Sequence, residues 1–305
     1  MMRQFAPMLA VSGEPFDSQE HLFEIKWDGI RALAWVQRKA LRLWGRGQAD
    51  YTHRYPELDV LRQFPADTIL DGELVRLRAG RAEFSAVLRR HQLTSPRKIR
   101  WAAERHPVTY MVFDLLRLNG RCLLQQPLRQ RRARLRELLA TSSTERVLFS
   151  EGVTGGGKAF FDAAIEQQHE GVMAKRLDSG YLPGKRASAW QKIKPRCEVV
   201  CVIIGYSGSR CGPLRSLLLA AERDGSLGFV GRVRRGLSGA IQRQLTPLLD
   251  ARRCAEPVVP CAQKAFWVRP DLYGRVTCFG WTLGDRLRFP CFLGLLKTPA
   301  REVLR

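Results

Sequence analysis

The stretch FEIKWDGIR (residues 23–31) sets Lys26 between Glu24 and Asp28, with Phe23, Ile25 and Trp27 at the alternate positions. On a strand this puts the charged residues on one face and the apolar ones on the other. An amine is a nucleophile only when unprotonated, and free lysine has a pKa of about 10.4. Partial burial and neighbouring cations favour the neutral form. Lys26 is the residue of this stretch whose type could do such chemistry, and a solvated edge strand is the competing reading. Further stretches carry polar side chains at similar spacing. Asp71 and Glu73 share a face in DGELV (71–75), and Phe113 sits in YMVFD (110–114). Glu170 precedes GVMAK, and Lys192 and Lys194 share a face in WQKIKP (190–195). For all but Lys26, surface ion pairs, or a core role for Phe113, compete with a role in a site.

The elements that must position these residues follow from the patterning. Residues 23–36, 41–44, 67–75 and 110–118 read as strands, and GVMAKRL and WQKIKP as short ones. Residues 82–92, 127–140 and 157–171 read as helices. In the second helix Leu128, Leu135, Leu138 and Leu139 share a face, and five arginines coat the rest, read as a solvated face with phosphate contact as the alternative. Pro195 marks a seam. Beyond it, strand-like runs such as EVVCVIIGYSGSR and SLGFVGRV, an Asp224-Gly225 turn and a helix at LSGAIQRQLTPLLDA suit a small Greek-key barrel of the OB type. The expected architecture is α+β, with a first domain over 1–195 and a barrel domain over 196–305. GVTGGGKA (152–159) matches the spacing of a phosphate-binding loop, but Ala159 stands where a hydroxyl should meet magnesium. A glycine turn leading into a helix is the better reading.

The chain has 305 residues and a net charge of +22, with 51 Lys and Arg against 29 Asp and Glu. That excess points to a polyanionic partner, most often nucleic acid. The first 195 residues carry +12 and the remainder +10, so charge is denser in the smaller segment. The eight cysteines form no CxxC pair and have no histidine cluster beside them. This argues against structural zinc and fits a reducing compartment. No segment approaches a membrane span and no signal peptide is evident, so a cytoplasmic location is expected.

Taken in order, K-x-D-G-x-R, DGELV, Y-x-V-F-D, E-G-V-M-A-K and W-x-K-I-K-P resemble the ATP-dependent DNA ligases of the covalent nucleotidyltransferase superfamily. The chain is especially similar to the bacterial end-joining and stand-alone two-domain types. IIGYSGS, LLLA, FVGRV and RFPCFLGL extend the resemblance through the second domain. It implies an adenylation domain of antiparallel sheets and flanking helices, followed by an OB-fold β-barrel. It further implies that Lys26 attacks the α-phosphate of ATP, giving lysine-linked AMP, after which AMP passes to a 5′-phosphate and a 3′-hydroxyl displaces it. Glu24 matches the family position at adenine, and Arg31 and Arg46 match positions near the ribose and phosphates. Glu73 matches a position near the ribose and metal, Phe113 the aromatic that stacks on adenine, and Glu170 the metal-side carboxylate. Lys192 and Lys194 match the phosphate-contacting pair.

The resemblance implies ATP and Mg2+ (or Mn2+) as cofactors and nicked or broken duplex DNA as substrate. It leaves end-joining or repair proteins as candidate partners of a monomer. DGELV, EGVMAK and the barrel ending favour a DNA ligase over an RNA ligase or a capping-type nucleotidyltransferase. One departure stands out. After FLGL the family continues with Arg-x-Asp-Lys, whereas this chain reads Leu296, Lys297, Thr298, Pro299. Lys297 or Arg288 is a candidate substitute, and an inactive ligase-like binder is the reading that the loss leaves open.

Overall fold

The computed structural model describes residues 5–141, 144–208, 213–223, 225–282, 284–287 and 289–296. The chain divides into two compact units, Met1–Lys194 and Pro195–Arg305. In chain order the first contains β1 (Leu9–Gly13), β2 (Ser18–Ile25), β3 (Ile30–Val36), β4 (Leu41–Trp44) and β5 (Thr68–Val75). Then come α1 (Phe84–His91), α2 (Pro96–Arg105), β6 (Thr109–Leu118), α3 (Leu128–Ala140), β7 (Val147–Phe149) and β8 (Gly152–Gly155). The unit closes with α4 (Gly157–Glu166), β9 (Val172–Arg176) and β10 (Arg186–Ile193).

Two sheets organise this unit. One runs β1-β10-β9-β2-β8, and the other β7-β6-β5-β3-β4. Most pairings are antiparallel, but β1 lies parallel to β10 and β7 parallel to β6, so the sheets are mixed at their edges. Period-two alternation sorts the side chains of the first sheet. Phe23, Val172, Ala174 and Ile193 point to one side and pack on Phe161 and Ala164 of α4. The opposite side carries the charged residues. On the second sheet, Ala32, Ala34, Leu70, Leu74, Tyr110 and Val112 build the largest core, which α3 helps to close with Leu135, Leu138 and Leu139. Leu33, Ile69 and Phe113 instead join Trp190 of the first sheet in a further cluster.

Three expectations from the sequence need correction. The strand through 23–36 is broken: β2 stops at Ile25 and β3 starts at Ile30, which leaves Lys26, Trp27 and Asp28 off the strand. α2 had no counterpart in the sequence reading, because it buries only Ile99 and Ala102. The arginines of α3 do not all lie in solvent: Arg131 is 0% exposed and Arg132 is 7% exposed.

The second unit contains β11 (Cys197–Gly208), β12 (Leu214–Arg223), β13 (Ser226–Val233), α5 (Gly239–Asp250), β14 (Arg253–Cys254), β15 (Phe266–Val268), β16 (Tyr273–Cys278) and β17 (Cys291–Leu295). The sheet order is β13-β12-β11-β15-β14, with β16 pairing to both β11 and β17. Instead of uniformly short strands, β11 spans 12 residues and β12 spans 10. Leu245 and Leu249 of α5 pack into the core of the sheet. Arg288 and Lys297 lie outside the described residues. Among the described residues no helix is long and apolar enough to cross a membrane.

Candidate active site

Strand register assembles the charged face. Glu24 of β2 lies opposite Met173 of β9, and Met173 lies opposite Lys192 of β10. One step on, the Lys26 amide donates to the Gly171 carbonyl at 2.9 Å, so the chain is held to β9 just past the end of β2. Gly171 has φ +141°, and a Cβ there would meet the Ile193 carbonyl at 2.1 Å. Only glycine allows Glu170 and β9 to approach β10 so closely.

The resulting cleft is lined by Glu24, Lys26, Arg31, Arg46, Glu73, Phe113 and Lys192 among the residues singled out in the sequence. It holds about 740 Å³ counted to open solvent, a size suited to a small-molecule ligand. Glu170 and Lys194 stand beside it, since Glu170 forms ion pairs with both Lys26 and Lys194. Burial raises the Glu170 pKa, but the two ammonium groups outweigh it and hold the carboxyl below its usual value.

Arg31 is fixed more rigidly. Its Nε and Nη2 donate to the two Asp71 oxygens at 2.6 Å each, the bidentate geometry that suits a guanidinium and a carboxylate. The Tyr181 hydroxyl donates to Asp71 at 2.7 Å and receives the Met8 amide at 2.8 Å. Burial opposes the charge on Arg31, but Asp71 more than compensates and its pKa is raised. Glu73 has no ion pair or hydrogen bond of its own among the described residues. Burial pushes its carboxyl up to about 7, against the pull of Arg31 and Lys26. Burial, with Arg186, Lys194, Lys26 and Arg46 around it, lowers the Lys192 pKa.

Glu24 is occupied: it is 1% exposed and ion-paired to Arg132 and Lys175. Phe113 is flanked by cations, with Arg31 Cζ at 4.5 Å and Lys175 Nζ at 3.9 Å from the ring centroid. Lys175 is buried, and that burial lowers its pKa even though Glu24 raises it. Sequence reasoning missed Asp71 as a partner of Arg31, and missed Lys175, Trp190 and Arg132 altogether. The signal for Lys175 and Trp190 was present, since both stand inside stretches already singled out, at the same strand parity as their neighbours. Arg132 gave no such signal, because it reaches the site from a helix more than a hundred residues from Glu24.

The arrangement is an amine on a cleft floor, with carboxylates beside it and the open cations Arg46 and Lys192 facing the same space. Neither of those two cations has an ion pair among the described residues. Such a site suits covalent attack on a polyphosphate. With the mixed α+β fold, it has the form of a covalent nucleotidyltransferase. Sequence comparison specifies the class further. Residues 7–194 match the ATP dependent DNA ligase domain and residues 210–297 the ATP dependent DNA ligase C terminal region. This chain belongs to the ATP-dependent DNA ligase family. It is 35% identical to the multifunctional non-homologous end joining protein LigD of Mycobacterium bovis, over 98% of this chain and 40% of that protein. It is 32% identical to a DNA ligase of Methanoculleus marisnigri, over 91% of this chain and 51% of that one. The chain thus spans about half or less of these relatives. Among solved structures, a mycobacterial DNA ligase D complexed with ATP and MES superposes with a TM-score of 0.59 at 32% identity. That match covers 100% of this chain and 99% of the other.

Proposed function

We propose that this protein is an ATP-dependent DNA ligase that seals 5′-phosphate/3′-hydroxyl breaks in duplex DNA, acting in repair with end-joining proteins as candidate partners. The observation that carries this reading is Lys26 in a cleft whose open cations, Arg46 and Lys192, form no ion pair among the described residues. In the first step the Lys26 Nζ, having lost its proton, forms a bond to the α-phosphorus of ATP, and the bond to pyrophosphate breaks. In the second, an oxygen of the DNA 5′-phosphate takes the AMP and the Lys26 amine leaves. In the third, the 3′-hydroxyl attacks the 5′-phosphorus and AMP departs, closing the strand.

The first unit is the adenylation domain in this reading and the second its OB-fold partner. Glu170 holds Lys26 at the cleft until the nucleotide arrives. Arg31, locked by Asp71 and Tyr181, presents fixed charge to the ribose and phosphates, while Arg46, Lys192 and Lys194 neutralise the polyphosphate. Phe113 and Glu24 serve adenine. For the base to stack on Phe113, Lys175 or Arg31 must yield one face of the ring, and Glu24 acts through its ion pair with Lys175. Glu73 and Glu170 supply the hard oxygen donors that a divalent cation such as Mg2+ prefers, and Glu73 is the carboxylate without a competing protein cation bonded to it. A bound Mg2+ would add charge stabilisation at the phosphates. Incubation of a nicked, 5′-phosphorylated duplex with protein, ATP and Mg2+ tests the reading. Sealed product that disappears in the Lys26→Arg variant supports it, and sealing that survives the substitution overturns it.

A further inference from the structure

A second pocket shares no lining residue with the Lys26 cleft. It lies where α1, α2 and the segment after β5 meet, and is lined by Arg76, Arg78, Arg89, Arg90, Trp101 and His106. Its space amounts to about 990 Å³ counted to open solvent. Glu83 is the one acidic residue in its lining, and it reaches Arg78 only at 3.7 Å.

The four guanidinium groups differ in how far the protein satisfies them. Arg89 has no ion pair or hydrogen bond among the described residues. Arg76 donates to the Pro107 carbonyl at 3.3 Å and lies 3.4 Å from His106 Nδ1. Arg90 is 5% exposed and donates through Nη2 to Glu57 at 3.0 Å, yet its Nε and Nη1 are buried without a partner. The Arg90 guanidinium also lies over the Tyr55 ring at 5.2 Å, so it adds buried positive charge beneath a basic pocket. The wall carries Trp101, 57% exposed and edge-on to His106 at 5.3 Å. A large indole left in water among arginines has no packing reason to be there. The exposed Arg97, Lys98 and Arg100 extend the positive surface along α2.

We infer that this pocket is a subsite for single-stranded nucleic acid: one unpaired base stacks on Trp101, and its flanking phosphates lie on Arg76 and Arg89. Exposed aromatic faces beside guanidinium groups are how proteins hold single strands without reading sequence. An acidic peptide would match the charge but leave the indole unused.

The test is fluorescence anisotropy with a labelled oligothymidylate of about ten nucleotides, within the span that one such platform covers. Trp101→Ala should weaken binding by about five- to a hundred-fold, the effect of losing one stacked base, and Trp101→Phe should restore most of it. Arg89→Ala should weaken binding and make the log–log salt slope shallower by about 0.7. With a strand carrying 5-iododeoxyuridine, photocrosslinking should place an adduct on Trp101. Loading of AMP onto Lys26, measured in parallel, should be untouched by Trp101→Ala and so reports the other cleft separately. The proposal fails if Trp101→Ala binds the strand like the parent, or if crosslinks fall only elsewhere. It also fails if thymidine monophosphate or polyglutamate displaces the strand at matching concentrations.

Discussion

Glu73 is a carboxyl set among cations that forms no ion pair of its own among the described residues, and burial pushes its pKa up to about 7. Relative to the unfolded chain, folding then favours the protonated acid. That contribution is complete below the unfolded pKa and is lost as pH rises through about 7. Glu73→Gln, which copies the protonated shape, should therefore leave stability unchanged near about pH 4. It should raise stability by about 1–3 kcal/mol near about pH 8. Denaturant melts at the two pH values check this, and equal shifts at both would contradict it. The same substitution should impair nucleotide loading, since a donor to the cation is gone. Asp71 acts through Arg31 and Tyr181. Asp71→Asn removes the charge that holds Arg31 and unsettles the Tyr181 hydroxyl, so the KM for ATP should rise. An unchanged KM would mean that Arg31 does not depend on this scaffold to meet the nucleotide.

At the scale of elements, α3 is fastened to β6 by an ion pair between Arg131 and Asp114, both 0% exposed, with the guanidinium donating at 2.7 and 2.8 Å. Asp114→Ala strands a buried guanidinium and should cost about 3–5 kcal/mol. Arg136→Ala, at the exposed pair with Glu151, should shift the melt little. Equal losses would show that burial does not decide the matter. Gly29 performs a different task between β2 and β3. A Cβ there would meet the Leu74 carbonyl at 2.3 Å and the Glu73 side chain at 2.9 Å, so Gly29→Ala should push β3 away from β5 and misplace Arg31 and Glu73 together. This close approach is why the link between Lys26 and β3 carries a glycine at position 29. Much of the cleft was legible in the sequence because Lys26, Glu73, Phe113 and Lys192 stand in the short, ordered motifs that carry the family resemblance. α2 was not legible, because a helix that buries two side chains leaves almost no apolar stripe to detect. The burial of Arg131 and Arg132 was hidden for another reason: their partners, Asp114 and Glu24, are distant in sequence, and an arginine bound for a buried carboxylate reads like one bound for water.

For the whole molecule, a charge of +22 makes association with DNA an exercise in releasing counterions. The log of the affinity for nicked duplex should fall with log salt by about 0.9 for each phosphate contacted, and a nearly flat response would contradict a basic DNA-binding surface. The ending Leu296, Lys297, Thr298, Pro299 in place of Arg-x-Asp-Lys should slow AMP loading more than sealing, because preorganised charge at a leaving group contributes about 3–4 kcal/mol. Single-turnover comparison of ATP loading with sealing of a pre-adenylylated nick checks this, and fast loading with slower sealing would contradict it. The central claim is the covalent role of Lys26, and the most direct test is to incubate the protein with Mg2+ and ATP labelled on its α-phosphate, denature it, and map the label. The account predicts AMP attached to Lys26 and no label in Lys26→Arg. Label on another residue, or label that persists in the variant, would contradict it.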